Sequence, residues 1–197
     1  KSIYDTLKKL TDQAGGLSGV VKGKTVALKL NLTGNPGRFP VKEQLPYRTE
    51  PGTGLALCQL MARAGANRIR ILESFFPARQ EMELWARYGL DIQAIGNCGT
   101  KVEWENTNNL GRAKQYVRSK VPFGGYVFAS YDLNHSFTDC DAYVSMSKLK
   151  NHWIAGVTMT MKNNFGLTPC SLYGGDAGPD GNENPTQERP AVCHSGS

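Results

Sequence analysis

The stretch KTVALKLNL, residues 24–32, decides the fold. Val26, Ala27 and Leu28 are apolar in succession, so an extended chain here is apolar on both faces. A strand of that kind belongs inside a sheet that is covered on both sides, the usual setting of parallel strands. At its end Lys29 and Asn31 stand two apart, and residues two apart on a strand share a face. Downstream, TGNPGRFPVKEQLPYRTEPG (33–52) is a loop with four prolines, a length that compact domains keep for function or leave disordered. Pro51 suits a first helical turn, and GLALCQLMARAGA (54–66) follows as a helix ended by Gly65. NRIRILES (67–74) is the next strand, ending in Glu73 and Ser74.

The alternation continues. RQEMELWARYGL (79–90) predicts a helix ended by Gly89, DIQAIG (91–96) a short strand, and TKVEWEN (100–106) another. YVFAS (126–130) and DAYVSMS (141–147) predict strands, and WIAGVTMTMKNNFG (153–166) a buried helix with glycine just past its end. Upstream, SIYDTLKKLTDQAGG (2–16) has Ile3, Leu7 and Leu10 at helical spacing before Gly15-Gly16. Strand and helix in turn give an α/β fold: a doubly wound, mostly parallel sheet with helices on both faces. One domain over 1–197 is expected, incomplete at both ends, with 168–197 a loop-rich tail or lid.

Bulk composition narrows the function. Forty per cent hydrophobic and 20% charged residues are ordinary for a globular chain. No stretch reaches the roughly 18 apolar residues of a membrane span, so no transmembrane segment is expected. Lys and Arg number 23 against 17 Asp and Glu, a net charge of +6. The basic residues are dispersed, with no aromatic-interleaved stripe, so nucleic acid is not the expected partner. A local basic pocket for a small anion fits better. Five cysteines (Cys58, Cys98, Cys140, Cys170, Cys193) form no CxxC, so zinc ribbons and ferredoxin-type clusters lack their signature. Cys58 sits in a helical pattern and reads as core.

In open α/β sheets ligands bind beyond the carboxyl ends of the strands. Strand ends here deliver Lys29 and Asn31, then Glu73, then Lys148, Lys150 and His152 in period two after the strand at 141–147. A lone strand-end lysine is ordinarily just solvated; two with a histidine, directly after a buried strand, point to a site. Lys162, Asn163 and Asn164 close the expected helix, where a cation also suits the helix dipole. Lys148, Lys150 and Lys162 would bind phosphate or carboxylate, and Lys29, Asn31 and Asn163 would orient it. Lys150, His152 and Glu73 are the catalytic candidates: His152 for its near-neutral pKa, Lys150 for the depression that crowding cations cause, Glu73 as base or lysine anchor. No dinucleotide fingerprint, P-loop or GxSxG is present; GTG at 52–54 follows no strand directly. No metal set is expected; the weak candidates are His152, His194 and Asp139.

The residues DAYVSMSKLKNHWIAGVTMTMKNNFG (141–166) resemble the signature of a bacterial and archaeal family called domain of unknown function 362. That signature is a strand, Lys-x-Lys-x-His, a Thr-rich helix ending Lys-Asn, then Phe-Gly. VALKLNL is similar to the family's first strand and PGTGLALCQLMARAGANRIRILES to its second unit. The resemblance runs over roughly residues 20 to 195 and is specific in the Lys-x-Lys-x-His to Lys-Asn block. It implies an α/β domain of largely unassigned role. Some members carry ferredoxin modules, whose cysteines this chain lacks. NNFGLTPCSLYGGDAG (163–178) looks like members with twin-arginine export leaders, which implies an extracytoplasmic, periplasmic or secreted, protein. VCHSG (192–196) resembles a further His segment and makes His194 a site candidate. No cofactor follows from either reading.

Three functions are therefore carried forward. The first is an anion site with enzyme-like chemistry at the carboxyl edge of the sheet. The second is a non-catalytic exported assembly protein, a homo-oligomer docking through its loops. The third is a metal-dependent site using His152, His194 and Glu73 or Asp139.

Overall fold

The computed structural model describes residues 2–33, 42, 45–75, 82–107, 115–125, 128–152 and 155–173. Its centre is a four-stranded parallel sheet of β1 (Thr25–Lys29), β2 (Arg68–Glu73), β3 (Lys101–Asn106) and β6 (Ala142–Ser145), in the order β3-β2-β1-β6. Strand β1 lies between β2 and β6, with Leu28 opposite Ile71 on one side and Val144 on the other. The chain winds from β1 through β2 to β3, then returns to the far side of β1. That reversal makes the β1–β6 boundary the topological switch point, where crevices open in such sheets.

Helices pack around the sheet. Helix α1 (Ile3–Gln13) rests on α3 (Pro51–Arg63), with Arg63 stacked 4.9 Å over the Tyr4 ring. A short helix, α2 (Ser18–Val21), leads into β1. Helix α3 starts as Pro51 predicts: Glu50 caps it by accepting the amides of Gly52 and Thr53 at 2.9 and 2.6 Å. It ends before Gly65, whose φ of +92° suits glycine. Helix α4 (Met82–Arg87) ends before Gly89 in the same way. The core gathers Val26, Leu28, Ile69, Ile71, Met61 and Trp85, all buried. Phe75 meets Trp85 edge-on at 4.6 Å and stacks on Tyr88 at 4.9 Å, which anchors the chain just beyond β2. Strand β2 alternates only at its start; from Ile71 to Glu73 it is buried on both faces. Ile69 and Ile71 are buried, whereas Arg70 pairs with Glu103 at 3.0 Å and Asp139 at 3.2 Å.

Three sequence expectations are corrected. DIQAIG is helix α5 (Ile92–Gly96), not a strand: Asp91 caps it by accepting the Ala94 amide at 2.8 Å. The segment 153–166 is not one buried helix. Strand β7 (Lys150–His152) turns back antiparallel on β8 (Gly156–Thr158), and only then comes α7 (Thr160–Asn164). Gly156 takes a φ of +71° beside the turn, and Val157, Met159 and Met161 are exposed. No long helix therefore aims its N-terminus at the crevice from near Trp153, a residue outside those described. Between β3 and β6 lies an antiparallel pair, β4 (Tyr116–Lys120) and β5 (Ser130–Asn134), followed by helix α6 (His135–Thr138). The expected strand at 126–130 meets β5 only at Ser130; Tyr126 and Val127 lie outside the described residues. A final turn of helix, α8 (Cys170–Tyr173), precedes residues 174–197, so most of the expected tail or lid lies outside the description.

Candidate functional site

A cavity of about 200 Å³ opens at the carboxyl ends of β1 and β2, beneath the β7–β8 hairpin and α7. Lys29, Asn31, Glu73, Lys150, His152, Lys162 and Asn163 all line it. Seven of the eight residues expected to act on a ligand therefore converge. The eighth, Lys148, is not in the lining; its backbone amide donates to Asn31 Oδ1 at 3.3 Å. Of the metal candidates, Asp139 lies away from the cavity, ahead of β6, and bonds Arg70. His194 lies outside the described residues. Among the described residues no group of three His, Cys, Asp or Glu side chains is gathered as a metal would need.

The floor of the cavity is an ion pair. Lys29 and Glu73 are 2% and 3% exposed, and Lys29 Nζ donates to Glu73 Oε1. A buried pair of this kind survives only when its remaining valences are met. They are: Lys29 Nζ also donates to the Leu30 carbonyl at 2.7 Å. Glu73 accepts the Ser74 amide on Oε1 at 2.9 Å and the Leu32 amide on Oε2 at 2.7 Å. Glu73 thus holds a lysine and the chain leaving β1. Asn163 crosses from α7 to the sheet: Nδ2 donates to Ser145 Oγ on β6 at 2.9 Å, and Lys29 Nζ reaches Oδ1 at 3.4 Å. Gly166 covers the pair so closely that a Cβ there would stand 3.0 Å from Lys29 Cε and 3.1 Å from Nζ.

The wall is built differently. Lys150 and His152, two apart on β7, both reach the cavity. Lys150 Nζ donates to the Tyr47 carbonyl at 2.6 Å and to Thr33 Oγ1 at 3.2 Å. Both acceptors are neutral and both come from the proline-rich loop. Partial burial, then Lys162 and Arg48, push the Lys150 pKa down to about 8. His152 Nδ1 accepts the Ala155 amide at 3.1 Å, so in the neutral ring the proton sits on Nε2. Lys162 lies 4.5 Å over the Phe165 ring. Two more lining side chains complete the wall. Thr158 is 2% exposed and Ser74 is half-buried, and the hydroxyl of each is buried without a hydrogen-bond partner among the described residues.

The loop at 45–50 earns its place by clasping this wall. Thr49 exchanges bonds with Asn31, receiving the Asn31 amide on Oγ1 at 2.9 Å and donating its own amide to the Asn31 carbonyl at 3.0 Å. Its hydroxyl donates to the Met146 carbonyl at 3.0 Å, tying β1 to the chain leaving β6. Arg48 Nε donates to the Thr33 carbonyl at 2.6 Å, and its guanidinium lies 4.4 Å over Tyr88. Sequence reasoning missed Thr33, Thr158, Tyr47 and Arg48. Their only signal was membership of the long loop or of the Thr-rich run.

The family model described as Domain of unknown function (DUF362) matches residues 26–180. The chain belongs to this family. The match takes in every lining residue of the cavity, from Lys29 to Gly166. A relative from Synechocystis sp., "Thylakoid-associated protein sll1697", is 28% identical over 192 residues, covering 92% of this chain and 52% of its own length. The chain thus spans about half of that relative. No solved structure matches. No helix among the described residues is long and apolar enough to cross a membrane.

Proposed function

We propose that the cavity binds a small anion, a phosphate or carboxylate, and that Lys150 and His152 carry the proton chemistry there. One observation carries the reading. The lining holds Lys29, Lys150, Lys162 and His152 against one carboxylate, Glu73, which is already committed to Lys29. Positive charge therefore exceeds negative in a partly closed space, where ionic contacts are stronger than in bulk water. The unpartnered Thr158 and Ser74 hydroxyls add donors that anion oxygens can use. The switch-point location agrees with the general placement of ligands in such sheets. Lys162 and Lys150 meet the anion, Asn163 and Asn31 orient it, and Lys29 supplies fixed positive charge from below. The test is calorimetric titration with phosphate and with small carboxylates. Lys150→Ala and Lys162→Ala are expected to weaken binding at least tenfold while the circular dichroism spectrum stays unchanged. Equal affinity in wild type and both variants would sink the proposal.

A second reading, an assembly protein, draws on the exposed Leu149, Val157, Met159 and Met161 around the hairpin, which leave apolar surface in water. Light scattering across a hundredfold concentration range separates the two, since a strict monomer contradicts assembly. An extracytoplasmic location follows from the likeness to exported members and is tested by fractionating cells that express the full-length protein.

A further inference from the structure

The anion reading leaves open what else the ligand carries, and the attachments of Lys150 bear on that. Lys150 Nζ gives protons to two fixed neutral oxygens, Tyr47 O and Thr33 Oγ1. Among the described residues no carboxylate lies within ion-pair distance of it, in contrast to Lys29. An amine held this way keeps both bonds when it loses its third proton, and its lone pair is then left for an electrophile. Lys162 and Arg48 favour that loss by repulsion. His152 stands two residues along the same strand face with Nε2 carrying the ring proton, a hydrogen-bond donor in the same cavity. Thr158 and Ser74 offer buried hydroxyls to a ligand oxygen. The space, about 200 Å³, holds on the order of half a dozen groups at roughly 30 Å³ each. That is the size of a two- to four-carbon compound.

We propose that the ligand is a small carbonyl compound bearing a carboxylate or phosphate, and that Lys150 captures it as an imine. The inference rests on the anion reading. The neutral Nζ attacks the carbonyl carbon, a C–N bond forms, and the π electrons pass to oxygen, toward which the His152 Nε2–H donates a hydrogen bond. One proton then passes from nitrogen to that oxygen through solvent water, giving a hydroxyl. The second nitrogen proton follows by the same route, so that water departs as C=N forms. The sum is amine plus carbonyl giving imine plus water, with no oxidant or reductant. Lys162 holds the anionic group. Lys29 cannot take this role, because Glu73 and the Leu30 carbonyl hold its protons in a buried ion pair.

The probes are pyruvate, glyoxylate and glycolaldehyde phosphate, each incubated with the full chain and then sodium borohydride, with intact mass and peptide mapping as the readout. A single reduced adduct on Lys150 is expected. It is lost in Lys150→Arg, reduced at least tenfold in Lys162→Ala, and suppressed by excess phosphate. No adduct with any probe, or adducts spread over exposed lysines such as Lys8 and Lys101 and unchanged in Lys150→Arg, overturns the proposal. Lactate and phosphate, which lack a reactive carbonyl, separate the two levels. If they bind by calorimetry but the carbonyl probes are not captured, the imine falls and the anion site stands. If neither binds and no probe is captured, both fall.

Discussion

Two lysines share this cavity, and their surroundings are opposite. Lys29 comes from the central strand and is buried against a carboxylate whose oxygens also accept two backbone amides. Lys150 comes from a two-stranded hairpin, is half-buried, and meets neutral oxygens. The first arrangement holds a charge in a buried ion pair. The second leaves a charge that can be given up, with a pKa near 8. The contrast divides the work: the sheet supplies a rigid, ionised floor, and the hairpin supplies the group that changes protonation state.

The comparison breaks most violently at Glu73. Glu73→Ala leaves a 2% exposed ammonium without its counter-ion and is expected to cost about 3–5 kcal/mol, or to prevent folding. Chemical denaturation measures this. The double variant Lys29→Met with Glu73→Gln is expected to be more stable than Glu73→Ala alone, because no lone charge remains buried. Gly166→Ala comes next. A Cβ 3.0 Å from Lys29 Cε must displace the pair or the turn, at about 1–3 kcal/mol in thermal unfolding.

Lys150 behaves in the reverse sense. Its folded pKa lies below the ordinary 10.5, so below about pH 8 the folded state carries a charge that its surroundings disfavour. That cost fades as pH rises from 8 to 10.5, where the folded group has already lost its proton. Lys150→Met is therefore expected to raise stability at pH 7 by on the order of 1 kcal/mol, a figure discounted for its partial exposure, and to give no gain at pH 10.5. Loss of stability at pH 7 would show that the ammonium is favoured where it lies. The smallest effect expected is at Lys148: Lys148→Ala should leave anion affinity within about twofold, since its side chain is outside the lining.

How much of this was legible depended on burial. Strands β1 and β2 and helix α3 read correctly because their apolar residues and their Pro51 and Gly65 punctuation agree with the final packing. The period-two rule then placed Lys29 with Asn31 and Lys150 with His152. The hairpin failed because VTMTM was read by its apolar content alone. Its alternation and Gly156 are strand and turn signals, but Val157 and Met159 face solvent, so no helical stripe existed to find. DIQAIG failed by the same route, with the Asp91 cap overlooked. The β4–β5 pair is short and largely half-buried, which weakens any periodic signal. The clasp by Tyr47, Arg48 and Thr49 was not readable, because it depends on polar groups brought together across 15 to 103 residues of chain.

The most direct test of the division between floor and wall is a nuclear magnetic resonance titration of the lysine side chains, with and without phosphate. Lys150 is expected to titrate near pH 8 in the unliganded protein and to move upward when phosphate binds, because an opposite charge favours the ammonium. A Lys150 that titrates near 10.5 and ignores phosphate would contradict both the proton-labile wall and the anion site.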